Sequence, residues 1–318
     1  MERYDIAIIG TGPAGVSAAI TAKVRGKRLI LFGAKAMSDK VEKAHSILNY
    51  PGLPNVTGAQ LAQAFSNHLE SMDIPITEKQ VTAVYAMGDY FAIQTPEEMI
   101  ESRTVILAAG VVTAKALPGE NEFLGRGVSY CATCDGEFFT GKEVFVIGGG
   151  FAAAEESVFL TRYANHVTVL IRGEDFTCAE AVSRAAKEHP KITVLSHTAV
   201  VEATGDTALR SLRYRDLKTG EETVFAPHGD TFGVFVFAGY EPETALIRDK
   251  IETDPRGYIV TDGSQRTNLE GVYAAGDVCV KELRQVVTAV SDGAKAATAL
   301  EKYAAAMHEK TGLRPRKP

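Results

Sequence analysis

The sequence predicts an α/β fold with two βαβ units, because the same order of apolar strand, glycine-rich turn and helix occurs twice. In the first copy a strand at residues 5–9 leads into Gly10–Gly15 (GTGPAG), and a helix to about Lys23 and a strand at residues 28–32 follow. The G-x-G-x-x-G spacing lets backbone N–H groups approach a pyrophosphate at the N-terminus of the helix. We therefore predict a dinucleotide-binding unit at the start of the chain.

The second copy has the same order of elements. A strand at residues 143–147 leads into Gly148–Ala153 (GGGFAA), which fits G-x-G-x-x-A, and a helix to about Tyr163 and a strand at residues 166–171 follow. Two such Rossmann-like units indicate electron transfer between two nucleotides, for which a flavin and a nicotinamide are the obvious pair. The alternative is a degenerate duplicate that binds nothing.

Two further strand ends complete a predicted FAD site. The strand at residues 104–110 ends in Ala109 and Gly110, and residues 271–277 form a strand, a tight turn and an acid, Asp277. Small residues in both turns leave room for a ligand, and the Asp277 carboxylate would reach a sugar or ribityl hydroxyl. Together with the first glycine-rich turn, these segments predict one FAD site made of parts distant in sequence.

The positions of these segments divide the chain into two predicted domains, the second inserted into the first. The FAD-binding domain comprises residues 1–116 and 244–318, and the inserted NAD(P)-binding-like domain comprises residues 117–243. Proline and glycine mark both crossings, at Leu117–Gly119 and Gly239–Pro242, which favours a hinge. Ordinary turns are the alternative interpretation of both crossings.

Composition is that of an average globular protein. The chain has 318 residues, 45% hydrophobic and 23% charged, which is enough for about two domains with cores of their own. The net charge of −6 gives no reason to expect a nucleic-acid partner. No apolar stretch approaches the roughly 18–20 residues that span a bilayer, and the first strand starts too early for a signal peptide. We therefore expect a cytoplasmic protein without membrane contact.

Cys131 and Cys134 frame the segment CATCD. Two cysteines three residues apart can bring their sulfurs within disulfide reach on one helical turn. A helix that starts here would favour the thiolate, and Asp135 could move the proton that disulfide exchange requires. Half a zinc site and two buried thiols are the alternatives, but zinc needs two more ligands and Cys178 and Cys279 are isolated. We predict a redox-active dithiol, no metal site, and ordinary buried roles for the other two cysteines.

Six segments, in this order, resemble the low-molecular-weight bacterial thioredoxin reductases. They are Gly10–Gly15, Asn49–Gly52 (NYPG), Cys131–Asp135, Gly148–Ala153, Gly271–Asp277 and Arg284-Gln285, and together they cover essentially the whole chain. The resemblance implies an FAD domain with an inserted pyridine-nucleotide domain, usually in a homodimer, and thioredoxin as the partner. It also implies that the inserted domain rotates between two positions.

The resemblance further implies roles for individual residues. Cys134 would face the flavin, Cys131 would attack the thioredoxin disulfide, and Asp135 would protonate the departing dithiol. Backbone N–H groups at a helix start near Gln285 would favour the anionic reduced flavin. The residues expected at FAD are Gly10, Gly12, Pro13, Ala14, Gly15, Asn49, Val81, Ala109, Gly110, Gly276, Asp277, Arg284, Gln285 and Val286. Those expected at a nicotinamide nucleotide are Gly148, Gly150, Ala153 and Arg172.

Two segments depart from that family and leave the electron donor open. Members that use NADPH carry His-Arg-Arg-x-x-x-Arg after the strand of the second unit, where this chain has Ile171–Thr177 (IRGEDFT). Arg172 remains, but Glu174 and Asp175 would repel a 2′-phosphate. NADH lacks its usual acidic ligand, because an isoleucine ends the strand. Residues 38–45 (SDKVEKAH) replace a Gly-Gly-Gln stretch expected near the flavin.

Both departures are similar to the clostridial ferredoxin-dependent flavin thioredoxin reductases, so ferredoxin is a candidate donor beside NADPH and NADH. An acidic ferredoxin would meet a basic surface, although a solvated face is the simpler interpretation of these residues. They are Lys23, Arg25, Lys27, Arg28, Lys40 and Lys43. The intact second turn argues for a nucleotide. The acceptor also stays open, because a peroxiredoxin-type partner or a small disulfide would use the same dithiol. A flavin redox sensor without turnover is the non-enzymatic alternative.

Overall fold

The computed structural model describes residues 3–35, 39–42, 44, 47–113, 117–228, 231–247 and 250–311. Parts of the departing segment at residues 38–45, including Lys43, and all residues from 312 lie outside these ranges. Within them the strands are β1 (Tyr4–Ile9), β2 (Leu29–Phe32), β3 (Ile76–Thr77), β4 (Ala83–Ala86), β5 (Phe91–Gln94), β6 (Met99–Leu107), β7 (Val111–Thr113), β8 (Val128–Ser129), β9 (Glu143–Ile147), β10 (His166–Leu170), β11 (Ile192–Leu195), β12 (Thr198–Gly205), β13 (Leu209–Asp216), β14 (Glu222–Phe225), β15 (Gly233–Val236), β16 (Tyr240–Pro242) and β17 (Val272–Ala274).

The helices are α1 (Pro13–Val24), α2 (Asp39–Glu42), α3 (Gly58–Ser71), α4 (Glu120–Phe123), α5 (Ala132–Asp135), α6 (Phe151–Leu160), α7 (Glu180–Lys187) and α8 (Val286–Thr311). A 3₁₀ turn, Gly136–Phe139, follows α5 directly. None of the helices within the described ranges has the length and apolar character required to cross a membrane.

The first sheet has seven strands around a parallel centre. β1 pairs in parallel with β2 and β6, β17 adds to β6 in parallel, and β5 and β4 extend the sheet antiparallel. Ile6–Ile9 and Val105–Leu107 are continuous buried apolar runs, as expected for strands covered on both faces. Because β1, β6 and β17 run parallel, their carboxyl ends meet at one edge, where ligand sites form in such sheets.

Helices α1 and α8 cover one face of this sheet and approach each other closely. Ala18, Ala19 and Ala22 of α1 are fully buried. A Cβ atom on Gly293 of α8 would lie 2.0 Å from the carbonyl oxygen of Ala14. Small side chains on both helices therefore set their separation.

The second sheet has five parallel strands in the order β11-β10-β9-β15-β8. β9, α6 and β10 form the second βαβ unit, in which α6 ends at Leu160 and β10 at Leu170, slightly before the predicted ends. A separate antiparallel sheet, β12-β13-β14, contributes Leu209 and Leu212 to one core with Phe145 of β9.

The second sheet lies between two parts of the first in the order of the chain. The chain leaves the first sheet after β6 and rejoins it at β17, and β7 and β16 pair antiparallel where it crosses. The predicted fold class, two Rossmann-like units with the second inserted into the first, is confirmed. The domain limits at residues 116/117 and 243/244 and the hinge at the crossings stay predictions.

Candidate active site

The first glycine-rich turn connects β1 to α1 with almost no clearance. Gly10 has φ +118°, and a Cβ atom on it would lie 2.2 Å from the carbonyl oxygen of Ala108. A Cβ atom on Gly15 would lie 1.8 Å from the carbonyl oxygen of Gly10. Gly12, the N-cap of α1, has no atom of the described residues within 4 Å of its Cβ position. The start of α1 therefore packs closely against the end of β1, while the N-terminus of α1 faces an open space.

That open space is a cavity of about 880 Å³ at the carboxyl edge of the first sheet. It is lined by Ile9, Gly10, Thr11, Gly12, Pro13, Ala14, Phe32, Gly33, Ala34, Val41, Lys79, Gln80, Val81, Thr82, Ala108, Ala109, Gly110, Val111, Glu243, Ala245, Leu246, Ala275, Gly276, Asp277, Gln285, Val286 and Ala289. Its size, and the N-terminus of α1, where no described side chain caps Gly12, fit a dinucleotide with its pyrophosphate on the helix.

Most of the residues predicted at FAD line this cavity. Three do not line it, but each contacts a residue that does, Arg284 through the carbonyl oxygen of Asp277 at 3.5 Å. Gly15 provides the close packing of α1. The Asn49 amide nitrogen Nδ2 donates to Oε1 of the lining residue Gln285 at 3.0 Å. Arg284 donates to the carbonyl oxygens of Cys279 and Lys281 at 3.2 and 3.0 Å, and its guanidinium carbon lies 4.2 Å from the ring centre of Tyr258.

A buried carboxylate behind the Asp277 turn was missed from the sequence. Asp292 of α8 accepts the backbone N–H of Gly276 at 3.3 Å and Nε2 of Gln265 at 3.2 Å, and forms an ion pair with Lys281. These contacts of Asp292 hold the turn that places Asp277 in the lining of the cavity. The only sequence signal is a single acid among the small and apolar residues that begin α8.

Cys131 and Cys134 are joined by a disulfide at the start of α5. Cys131 is the N-cap, and its Sγ accepts the backbone N–H of Cys134 at 3.2 Å. Both cysteines are half-buried, whereas Thr133 between them is exposed. The predicted helix start and disulfide reach are therefore both present.

Asp135 follows the disulfide directly and is 5% exposed. Its Oδ2 accepts the hydroxyl of Ser129 at 2.5 Å, and the Ser129 Oγ in turn accepts the backbone N–H of Cys131 at 3.0 Å. Sequence reasoning identified Asp135 and missed Ser129, because a serine at the end of a short strand carries no distinctive pattern.

The two remaining cysteines differ from each other. Cys279 is 1% exposed, and burial, with the charge of Asp292 as a smaller cause, raises its pKa to about 12. Its thiol is therefore neutral at ordinary pH and fills space, as predicted. Cys178 is only partly buried, so the prediction of a buried role was wrong for this residue.

The second glycine-rich turn repeats the geometry of the first. A Cβ atom on Gly148 would lie 2.4 Å from the carbonyl oxygen of Phe237, and Gly150, the N-cap of α6, has nothing within 4 Å of its Cβ position. Ala153, in the first turn of α6, is fully buried. Arg172 is exposed in the loop after β10. These four residues therefore lie at one end of the second sheet, and their contact with a nucleotide stays a prediction.

The loop after β10 is fastened to this turn. The backbone N–H and the hydroxyl of Thr177 both donate to the carbonyl oxygen of Gly149, at 2.7 and 3.2 Å. Asp175 forms an ion pair with Lys187 of α7, and that contact together with the Phe176 backbone N–H lowers its pKa. One of the two carboxylates that would repel a 2′-phosphate is thus matched by a lysine.

Comparison with known proteins agrees with this geometry over nearly the whole chain. Residues 4–293 match the family model described as pyridine nucleotide-disulphide oxidoreductase. A thioredoxin reductase from Peptoclostridium litorale is 43% identical over 94% of this chain and 96% of its own. The crystal structure of thioredoxin reductase from Streptococcus pyogenes MGAS5005 has a TM-score of 0.86 at 34% identity, covering 96% of this chain and 99% of that one.

A ferredoxin-flavin thioredoxin reductase from Clostridium acetobutylicum also matches, with a TM-score of 0.56 at 34% identity, over 97% of this chain and all of that one. The sequence resemblance is confirmed by these matches and by the disulfide. The chain belongs to the pyridine nucleotide-disulphide oxidoreductase family and, within it, to the thioredoxin reductases.

Proposed function

We propose that this protein is an FAD-dependent reductase that passes electrons through the Cys131–Cys134 pair to the disulfide of a thioredoxin. The observation that carries the proposal is the disulfide at the start of α5 with the buried Asp135 carboxyl directly behind it. The thioredoxin reductases named above support the choice of acceptor.

The cavity of the first unit is the proposed FAD site. The N-terminus of α1 at Gly12 would hold the pyrophosphate, and Asp277 would accept hydroxyl groups of the ribityl chain. Gln285 and Val286 at the start of α8 would lie at the flavin ring. When bound, the flavin accepts electrons from the donor and delivers them as a pair to the disulfide.

The exchange with thioredoxin follows from the positions of the two sulfurs. In the reduced enzyme the Cys131 thiolate attacks one sulfur of the thioredoxin disulfide, forming a mixed disulfide and releasing the other sulfur as a thiolate. The Cys134 thiolate then attacks Cys131 Sγ, which re-forms the enzyme disulfide and frees the second thioredoxin thiolate. Asp135 supplies a proton to a departing thiolate. Two electrons move from the enzyme dithiol to thioredoxin.

A reduced nicotinamide nucleotide is the proposed donor. Gly150 leaves the N-terminus of α6 open to a pyrophosphate, as Gly12 does for α1. A turn that binds no nucleotide has no physical need for a glycine at that position. The loop at Arg172 and Glu174 gives no strong preference between NADPH and NADH, because it combines one guanidinium with carboxylates.

Ferredoxin is the second candidate donor, favoured by the match to the ferredoxin-flavin enzyme from C. acetobutylicum. The proposed basic docking surface gives it less support. Lys23 donates to the carbonyl oxygen of Asp73 at 3.3 Å, and Arg25 and Lys27 both form ion pairs with Glu301. Three of the six cations named for this surface, Lys23, Arg25 and Lys27, are therefore engaged within the chain.

Anaerobic flavin bleaching tests the donor and acceptor separately. The oxidised protein is mixed with NADPH, NADH or reduced ferredoxin, and the flavin absorbance is followed; bleaching by ferredoxin alone would overturn the nucleotide proposal. The reduced protein is then mixed with thioredoxin, a peroxiredoxin-type protein or a small disulfide. Retained FAD without turnover on any acceptor would favour a redox sensor. Cys131→Ser and Cys134→Ser should each bind FAD and fail to reduce thioredoxin.

We also propose that the protein works as a homodimer in the cytoplasm. The family resemblance supports the dimer, and the small number of cysteines supports a reducing compartment. Sedimentation at micromolar concentration measures the mass: a species of one chain, 34.1 kDa, would contradict the dimer.

A further inference from the structure

We propose that Ser129 is a positioning residue for the disulfide exchange, holding the acid Asp135 and the backbone of Cys131 through one hydroxyl group. Ser129 ends β8 and is 3% exposed. Its backbone is paired with Phe235 of β15, so the parallel sheet fixes where the side chain starts. This inference rests on the proposed exchange at Cys131.

The hydroxyl has a partner for each of its hydrogen-bonding functions. It donates to Asp135 Oδ2 at 2.5 Å and accepts the backbone N–H of Cys131 at 3.0 Å. The carbonyl oxygen of Cys131 lies 3.4 Å from the same Oγ and offers a second acceptor. A serine hydroxyl has one donor and two acceptor lone pairs, so it can exchange one partner for another by rotating its hydrogen.

This arrangement serves both protonation states of Asp135. When the carboxyl is ionised, Ser129 donates to it, and the charge strengthens the bond. When the carboxyl carries a proton, Asp135 donates to Ser129 Oγ, and the serine hydrogen turns to the Cys131 carbonyl oxygen. A hydrogen bond that is available in both charge states of a buried carboxyl lowers the cost of changing between them. Ser129 therefore lets Asp135 give up and regain its proton without leaving its place beside the disulfide.

The inference is tested by the pH dependence of the exchange step in variants of the whole flavoprotein. Enzyme reduced beforehand is mixed with oxidised thioredoxin in a single turnover between pH 5.5 and 9. Ser129→Ala should slow the exchange roughly tenfold, since general acid catalysis contributes about 10²–10⁴ in rate and only the placement of the acid is lost. Without the hydroxyl donor the ionised form of Asp135 is less favoured, so the pH limit set by this acid should move upward.

Matched variants separate positioning from packing. Ser183→Ala removes another buried serine hydroxyl in the same unit, one that donates to the carbonyl oxygen of Glu180 within α7, and should leave the pH profile unchanged. Ser129→Thr and Ser129→Val introduce side chains of nearly the same shape, in which threonine keeps the hydroxyl and valine has a methyl group in its place. The threonine variant should keep most of the rate, and the valine variant should lose it. This pair decides the question even where the alanine variant does not fold.

A double-mutant cycle with Asp135→Asn gives the sharpest result. If Ser129 acts through Asp135, adding Ser129→Ala to Asp135→Asn should cost little further rate. Independent, multiplying losses would overturn the inference, as would equal rates for the threonine and valine variants. Reduction of the Cys131–Cys134 disulfide by dithiothreitol, which needs neither flavin nor thioredoxin, is measured in parallel. If the wild-type enzyme reduces no thioredoxin, the proposed function is contradicted. The Ser129 inference fails separately if dithiothreitol reduces the disulfide of the wild type and of Ser129→Ala at the same rate.

Discussion

The two glycine-rich turns have similar backbone conformations and differ in the side chains that pack against them. Gly10 and Gly148 both have positive φ, +118° and +143°, and each lies so close to a carbonyl oxygen that no Cβ atom fits. Gly12 and Gly150 both face empty space at the start of a helix. The backbone requirements for a pyrophosphate are therefore met twice in the chain.

The two turns differ in which of two neighbouring positions carries a side chain: the middle residue of the turn, or the residue that follows the second strand. In the first turn the side chain of Thr11 fills the space at Gly33, where a Cβ atom would lie 2.7 Å from Thr11 Oγ1. In the second turn the missing side chain is on Gly149, and Ile171 fills the space, 2.8 Å from the Cβ position. Gly33 and Ile171 both stand next to the strand ends where an acid would bind a ribose. Packing occupies both positions, so both turns keep the backbone shape that a pyrophosphate requires, and neither position carries the acid that would bind a ribose.

The largest effect is expected when a side chain is placed on Gly12. Gly12→Val should weaken FAD binding by about 100-fold or more, because the side chain enters the path of the pyrophosphate. The fold should survive, since nothing within 4 Å obstructs the new atoms. Flavin content after purification and FAD titration of the apoprotein measure the loss. Gly263→Val, at an exposed glycine with equal free space, is the control and should retain FAD.

The matching change in the second turn should separate the two nucleotides. Gly150→Val should leave FAD bound and slow flavin bleaching by NADPH or NADH about tenfold or more, because it blocks only the N-terminus of α6. After chemical reduction of the flavin, exchange with thioredoxin should proceed at the wild-type rate. Unchanged bleaching by a nucleotide in this variant would contradict a nucleotide site at α6.

A smaller effect is expected in the loop that follows β10. Asp175 is matched by Lys187, so Glu174, exposed beside Arg172, is the better target. Glu174→Arg should raise the ratio of kcat/KM for NADPH over NADH by about three- to tenfold, the size expected of exposed charges near a phosphate. Glu221→Arg makes the same charge change at an exposed residue directly before β14 and should leave the ratio unaltered. A ratio that moves equally in both variants would indicate only a general effect of charge.

The comparison also explains how much the sequence could predict. The two turns, the strands around them and the Cys131–Cys134 pair were predictable, because each depends on a short run of residues whose spacing strongly limits the local geometry. The fold class followed from the repetition of that pattern. The cavity lining was predictable where it uses those turns, as at Gly12 and Gly276.

The contacts that support the sites were not predictable in the same way. Ser129 contacts Asp135 because β8 ends beside α5, and no spacing of residues in the sequence predicts this contact. Asp292 lies sixteen residues after Gly276, and it contacts the Gly276 turn because α8 packs against the first sheet. Lys187 reaches Asp175 from the next helix. Such contacts depend on the three-dimensional arrangement, so a sequence pattern leaves them undetermined.

The smallest predicted effect concerns the helices that follow the two turns. At the position where α1 has the fully buried Ala18, α6 has Glu156, eight residues after the first glycine of the turn in both cases. Burial, with the neighbouring charge of Glu155 as a second cause, raises the pKa of the Glu156 carboxyl to about 7. The second unit therefore carries a partly buried titrating group on α6 at the position where α1 has a buried methyl group.

The sign of the effect follows from this raised pKa. Between the ordinary value of 4.5 and about 7 the folded protein binds a proton that the unfolded chain releases, so stability is lost as pH rises through this range. Glu156→Gln removes the titration, and its Tm should fall less between pH 5 and pH 8 than that of the wild type, by about 2 °C. Glu155→Gln, an exposed neighbour, should reduce the wild-type decline only slightly. Equal declines in wild type and Glu156→Gln would mean that the α6 carboxyl is as well solvated as a surface acid, and that the two helices differ in sequence without differing in electrostatics.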